Sequence, residues 1–200
     1  MKLFGTVPSP FTRRVRIVAA ELGEPIEWVD TSTEAGQAAL REVSPVRKVP
    51  VAVVDGRTLF DSRVIVDWLI ATRGYGGMAP PRDPWRERNR LTAVDEATLS
   101  IVQVFSARRD GVAIDGTLFA QRQFDRADAI FGWLAKELTV DPATAAPPPA
   151  TFGLVEAWLV SALDWMDFRK SYPTERAAGL APIRAAWAQR ASVASTRPDL

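Results

Sequence analysis

Cysteine and histidine are both absent from the 200 residues, and the two gaps close off whole areas of chemistry. Without a thiol there is no disulfide, no catalytic cysteine and no Cys-X-X-Cys redox centre. Without an imidazole no Ser-His-Asp triad can form, because nothing is left to act as its base. Zinc sites built on Cys and His go with them. No run of Asp and Glu stands at ligand spacing, so no metal is expected. A dominant charge is missing too: 25 Lys and Arg stand against 24 Asp and Glu, a net of +1. That balance leaves no electrostatic footprint for a nucleic acid, and the basic runs Arg13-Arg14-Val15-Arg16 and Arg86-Glu87-Arg88-Asn89-Arg90 read as solvated helix faces. Nor is there a long apolar run. The stretch poorest in charge, Val140 to Val155, is interrupted by Asp141 and by Pro142, Pro147, Pro148 and Pro149, far from the ~20 apolar residues a membrane span needs. The opening Met1-Lys2-Leu3-Phe4-Gly5 lacks the apolar core of a secretion signal. The expectation is a soluble, cytoplasmic protein with no membrane and no nucleic-acid partner.

What remains is an ordinary globular composition, 47% hydrophobic and 24% charged, in a chain long enough to bury a sizeable core. Leu3 to Val7 reads as a short strand, stopped by Pro8 and Pro10, which cannot donate to a ladder. Phe11, Val15, Val18 and Leu22 then recur at helical spacing, with Arg13, Arg14 and Arg16 mostly elsewhere on the wheel and Gly23 as the C-terminal glycine. Ile26 to Asp30 is a second strand, and a short helix is expected around Ala35 to Arg41. Val51 to Val54 and Thr58 to Phe60 flank Asp55-Gly56, a strong hairpin signal. A helix from Ser62 to Thr72 completes a βαβαββα order.

Beyond it the pattern changes. Residues 74–84 are rich in Gly and Pro and read as a linker. Amphipathic helices are expected at Trp85 to Arg108 and Thr117 to Leu138, a strongly apolar central helix at Phe152 to Phe168, and a last helix from Ala181 to about Ala194. The proline-rich Asp141 to Ala150 must be a loop. The division is therefore a small α/β domain over 1–73, a linker, and an all-helical domain over 85–200.

Three short motifs in the first domain invite a functional reading: Ser9-Pro10-Phe11, Val49-Pro50 and Asp61-Ser62. Taken singly each has a plain structural meaning. Ser9-Pro10 makes a turn that caps a helix. Val49-Pro50 starts a strand with a trans proline, and Ser62 caps the next helix.

In that order, on those elements, the residues resemble the glutathione S-transferase family, along essentially the whole chain. Ser9-Pro10-Phe11-Thr12-Arg13-Arg14-Val15-Arg16-Ile17 is similar to members with a catalytic serine. Asp164-Trp165-Met166-Asp167-Phe168-Arg169 and the closing Thr196-Arg197-Pro198 are similar to bacterial members. The resemblance implies a thioredoxin-like N-terminal domain followed by a helical bundle, with glutathione as cosubstrate. It implies that Ser9 donates a hydrogen bond to the glutathione sulfur, the nucleophile being the bound thiol. Such a charge-assisted bond is worth roughly 1.5–3 kcal/mol, enough to lower a thiol pKa by about 1–2. Thr12 is a second hydroxyl that can take this place; Thr6, where some classes carry a tyrosine, is too short.

By the same resemblance Val49-Pro50 is a cis-proline turn whose outward backbone pairs with the cysteinyl residue as a strand would. Lys48 meets the glycyl carboxylate, Ser62 the γ-glutamyl carboxylate and Asp61 its ammonium, with Phe11 beside them. Ile101, Phe105 and Arg108 are the candidates for contact with a small electrophilic substrate between the domains. A homodimer is implied as well. One departure is expected at the central helix. Its box, read as Thr151-Phe152-Gly153-Leu154, carries Leu154 where the family has Asp, so the reciprocal half of the cap should be missing.

Two functions follow. One is an enzyme that conjugates glutathione to an electrophile, or runs a related isomerisation or peroxide reduction. Members that exchange thiols through a protein cysteine are ruled out by the composition. The other is a non-catalytic module of the same fold that carries ligands or binds a protein.

Overall fold

The computed structural model describes residues 1–139 and 151–199; the expected Asp141–Ala150 loop lies outside them. The chain divides into two compact units, Met1–Pro80 with Gln189–Leu200, and Pro81–Ala188.

The first unit is built on a four-stranded sheet of order β2-β1-β3-β4, from β1 (Lys2–Gly5), β2 (Glu27–Asp30), β3 (Val51–Val54) and β4 (Arg57–Leu59). β1 runs parallel to β2, with Leu3 opposite Trp28, and antiparallel to β3, with Leu3 opposite Ala52. The parallel pair needs a crossover, which α1 (Pro10–Glu21) supplies. Between β3 and β4 the chain turns at Asp55 (φ 48°) and Gly56 (φ 71°), the left-handed pair that a two-residue hairpin demands. Alternation along the strands splits the core in two. Phe4 and Val51 meet Leu40 of α2 (Glu34–Val43) on one face. Leu3, the next residue along, is fully buried on the other.

α1 ends as its glycine predicted. Gly23 has φ 63°, the Glu24 N–H returns to the Ala19 carbonyl at 2.8 Å and the Gly23 N–H to Ala20 at 3.2 Å, a Schellman closure. α3 (Ser62–Arg73) packs on α1.

One expectation about α1 is corrected. Arg13 and Arg14 are not on its outer face: they are 1% and 4% exposed. A buried guanidinium needs partners, and both have them, as described below.

The second unit holds α4 (Pro84–Arg109), α5 (Leu118–Thr139), α6 (Leu154–Phe168), a 3-10 segment (Thr174–Leu180) and α7 (Ala181–Trp187). Asp83 caps α4, accepting the Trp85 and Arg86 N–H groups at 3.0 Å, and Pro84 takes the first helical position, where no N–H is needed. α6 is the central helix: Ala157, Trp158, Leu159, Val160, Ala162 and Leu163 are all within 3% of full burial.

The cap of α6 also differs from expectation. The helix starts two residues later, with Gly153 as N-cap, and the Glu156 carboxylate accepts the Gly153 N–H at 2.9 Å. The reciprocal half of the box is therefore present, supplied by the residue at N3. The half that needs an N-cap side chain is what glycine cannot provide.

The last helix is two helices. α7 stops at Trp187, and α8 (Ala191–Ala194) follows Arg190, whose φ −64° and ψ 130° are extended. Residues from Gln189 on group with the first unit, where the sequence boundary had assigned them to the helical one. Side chains of Arg190 and Ser192 bond to Glu21 of α1.

Candidate glutathione site

Sequence-predicted residues of all three motifs lie on the first unit. The Ser9 N–H turns back to the Thr6 carbonyl at 3.1 Å, and Pro10 begins α1. Ser9 is the N-cap: its Oγ accepts the Thr12 N–H at 3.2 Å. A hydroxyl that accepts in this way keeps its own hydrogen to donate, and among the described residues nothing takes it. Ser9 is half-buried, so an incoming group can. Thr12 is different. It is fully buried, its hydroxyl has no partner, and its methyl lies where a side chain on Gly5 would stand, 2.3 Å from an ideal Cβ. Thr12 packs α1 on β1 and presents no hydroxyl to a ligand.

The Val49–Pro50 peptide is cis, as is Phe60–Asp61. Pro50 is buried and Val49 half-buried, and neither the N–H nor the C=O of Val49 has a partner among the described residues. Lys48 beside it is exposed.

At the third motif Asp61, not Ser62, is the N-cap of α3, its carboxylate accepting the Arg63 N–H at 2.8 Å. Asp61 is exposed, and Ser62 is fully buried. The Ser62 Oγ accepts from two nitrogens of one guanidinium, Nε of Arg14 at 3.0 Å and Nη2 at 2.5 Å. With its lone pairs so engaged, the Ser62 hydroxyl is left as a donor. It stands at the first turn of a helix, where unpaired N–H groups and the macrodipole favour an anion. The Arg14 cation strengthens the same preference. The guanidinium also lies 4.9 Å from the centroid of the half-buried Phe11 ring, in range of a cation–π contact.

Arg14 is the residue that sequence reasoning passed over. A signal was available: Phe11, Arg14 and Val18 stand three and four apart, which puts Arg14 on the apolar face of α1 rather than beside it.

The three expected substrate residues all lie on α4 of the second unit, in different surroundings. Ile101 is fully buried in α4 and closed to a ligand. Phe105 is half-buried, its ring edge-on to Trp165 at 5.4 Å and 5.7 Å from the Arg169 guanidinium. Arg108 donates to Asp115 at 2.8 Å and 2.5 Å and lines a cavity of about 370 Å³ with Phe124, Lys170, Tyr172 and Arg176. Helical spacing put the three near one stripe, but packing against α5 and α6 consumes the buried part of it. No group of three or more metal-ligating side chains occurs among the described residues, and no helix there is long and apolar enough to cross a membrane.

With this geometry in view, the likeness to known proteins is specific. Residues 3–80 match the family described as "Glutathione S-transferase, N-terminal domain". Glutathione S-transferase U6 of Arabidopsis thaliana is 32% identical over 105 residues, which are 50% of this chain and 47% of that protein. The uncharacterized GST-like protein YibF of Escherichia coli K12 is 33% identical over 85 residues, 42% of each. The chain spans about half the length of the curated relatives it matches. In architecture the agreement is nearly complete. A glutathione transferase family member from Pseudomonas fluorescens Pf-5, solved with bound glutathione, superposes with a TM-score of 0.81 at 24% identity, over 100% of this chain and 99% of that one. The Tau class glutathione S-transferase MiGSTU from mango gives 0.74 at 18% identity, over 98% and 92%. Residues 3–80 thus match the glutathione S-transferase N-terminal domain family, and the chain as a whole shares the fold of these solved glutathione transferases.

Proposed function

We propose that this protein is a glutathione transferase in which Ser9 steadies the thiolate of bound glutathione for attack on a small electrophile. The observation that carries the reading is that each motif retains hydrogen-bonding capacity of the kind the tripeptide needs. The Ser9 hydroxyl has a hydrogen to give to the sulfur. Val49 has a free N–H and C=O for the cysteinyl residue. The Ser62 hydroxyl, backed by Arg14, donates to the γ-glutamyl carboxylate, and the exposed Asp61 takes the ammonium. Lys48 pairs with the glycyl carboxylate, and Phe11 lies over the Arg14 guanidinium.

In this mechanism the protein contributes no nucleophile. The thiol proton leaves to water, the sulfur is held as an anion by the Ser9 hydrogen bond, and it forms the new bond to the electrophilic carbon. The charge passes to the substrate or its leaving group. A free thiol near pKa ~8.5 is only a few per cent ionised at neutral pH, and a bond worth roughly 1.5–3 kcal/mol raises that to roughly a quarter to four-fifths. With no cysteine in the chain, thiol exchange through a protein thiolate is not among its reactions. Phe105 and Arg108 are the remaining candidates on the substrate side. The protein is read as a cytoplasmic homodimer.

The test is a thermal melt with glutathione. Saturation at 100 times Kd adds ~2.7 kcal/mol of stability, or several degrees, and no shift at millimolar ligand removes the reading. Turnover of an aryl halide that disappears in Ser9→Ala supports catalysis. A second reading is a carrier of the same fold, in which Ser9 does no more than cap α1. Glutathione binding without turnover across a panel of electrophiles would select it.

A further inference from the structure

The closing stretch of the chain grips α1 at both ends. At the far end the Arg190 guanidinium donates to both carboxylate oxygens of Glu21, each at 2.7 Å, and to the Gly77 carbonyl at 2.9 Å. The Ser192 hydroxyl donates to the same carboxylate. The Glu21 side chain is only 8% exposed, and the bond from Arg190 holds its carboxyl below the ordinary range. The neighbouring segment closes in as well: Gly76, at φ 54°, approaches so near the Glu21 carbonyl that a Cβ would stand 2.6 Å from it. At the near end Arg13 donates from Nη2 to the Val193 carbonyl at 3.2 Å. α8 is itself stiffened by the Thr196 hydroxyl, which donates to Ser192 O at 2.7 Å.

The near end matters because of what the first turn of α1 carries. Ser9 caps it, Thr12 is wedged over Gly5 of β1, Arg13 is tied to the closing segment and Arg14 is tied to Ser62 of α3. The turn is held from three sides by three different elements. A hydrogen bond weakens steeply with distance and misalignment, and a displacement of about 1 Å at a reacting group costs up to 100-fold in rate.

We propose that Arg190 and Arg13 are positioning residues for the glutathione thiol. Through them the segment from Gln189 on sets where the Ser9 hydroxyl stands against the sulfur. The proposal rests on the glutathione reading above.

The test uses the full-length protein and two variants, Arg190→Met, which keeps the stem without the charge, and Arg190→Lys, which keeps the charge. Amide hydrogen exchange at Arg13, whose N–H donates to the Ser9 carbonyl at 2.9 Å, reads the clamp without any ligand. Exchange there should rise about tenfold in Arg190→Met. The KM for glutathione should rise by a similar factor, with the thiol limb of the pH–rate profile displaced to higher pH. Arg190→Lys should restore part of each. A lower melting temperature with Arg13 exchange, KM and the pH limb unchanged would overturn the proposal and leave the segment a purely structural cover. If Arg190→Met does not fold, Ser192→Ala removes one bond of the same cluster and is read in the same three ways. A wild-type protein with no glutathione-dependent turnover would strike the parent reading instead, and the exchange data would then decide the clamp alone.

Discussion

The pairing of Arg14 with Ser62 yields the sharpest quantitative expectation. The guanidinium and the hydroxyl are both buried, at 4% and 0% exposure, and two N–H groups converge on one oxygen. A hydrogen bond to a charged group contributes roughly 1.5–3 kcal/mol net. Arg14→Met keeps the side-chain length and removes both donors, leaving the Ser62 oxygen with unsatisfied lone pairs. Ser62→Ala removes the acceptor. In a double-mutant cycle by urea unfolding the two changes should therefore be non-additive, with a coupling energy of about 1.5–3 kcal/mol. The same cycle run on glutathione binding should show Arg14→Met weakening affinity although the residue lies behind Ser62, because it orients the hydroxyl that donates. A coupling within about 0.5 kcal/mol of zero would refute the reasoning. The pair would then be a chance approach, and Arg14 would owe its burial to something else.

Three further outcomes follow from particular residues. Thr12→Val removes a buried hydroxyl that has no partner, so urea midpoints should rise by the equivalent of ~1 kcal/mol, with glutathione affinity unchanged; a loss of affinity would return Thr12 to the site. Gly5→Ala puts a methyl 2.3 Å from the Thr12 Cγ2 and should cost about 1–3 kcal/mol through overpacking, seen as a lower melting temperature; an unchanged value would mean that α1 can move off the sheet. Glu87 on α4 has its carboxyl pushed up from 4.5 to about 7 by burial and by Glu156, against Arg90 and Arg88. The folded state holds this proton more tightly than the unfolded one, so stability falls as pH rises from about 4.5 to 7 and the deficit persists above it. The full shift corresponds to roughly 3 kcal/mol, reduced to ~1–2 by solvent screening of a partly exposed group. Glu87→Gln should be the more stable protein at pH 8 by that margin and equal to wild type near pH 4; equal stability at pH 8 would remove the argument.

What the sequence determined by itself is everything that a few neighbouring residues can decide. Asp55-Gly56 dictated the hairpin because two left-handed residues in succession suit almost nothing else, and Gly23 closed α1 for the same reason. Period two and period 3.6 separated the strands from the helices in the order found. The three motifs were legible as motifs, and the cis Val49–Pro50 peptide was legible through family resemblance rather than from the two residues. Tertiary structure decided whatever depends on a partner far along the chain. The spacing of Arg14 can place it on the apolar face of α1, but only Ser62, 48 residues away, supplies the acceptor that makes its burial tolerable. Arg190 reads as the middle of a helix until Glu21, 169 residues away, captures it, and the chain then joins the first unit instead of the second. The difference in burial between Ser9 and Thr12 is of the same kind: both are hydroxyls at the start of one helix, and only the proximity of Gly5 seals Thr12 inside. A buried charge or hydroxyl is stabilised or penalised by what surrounds it in space, and those surroundings exist only once the sheet and helices have packed.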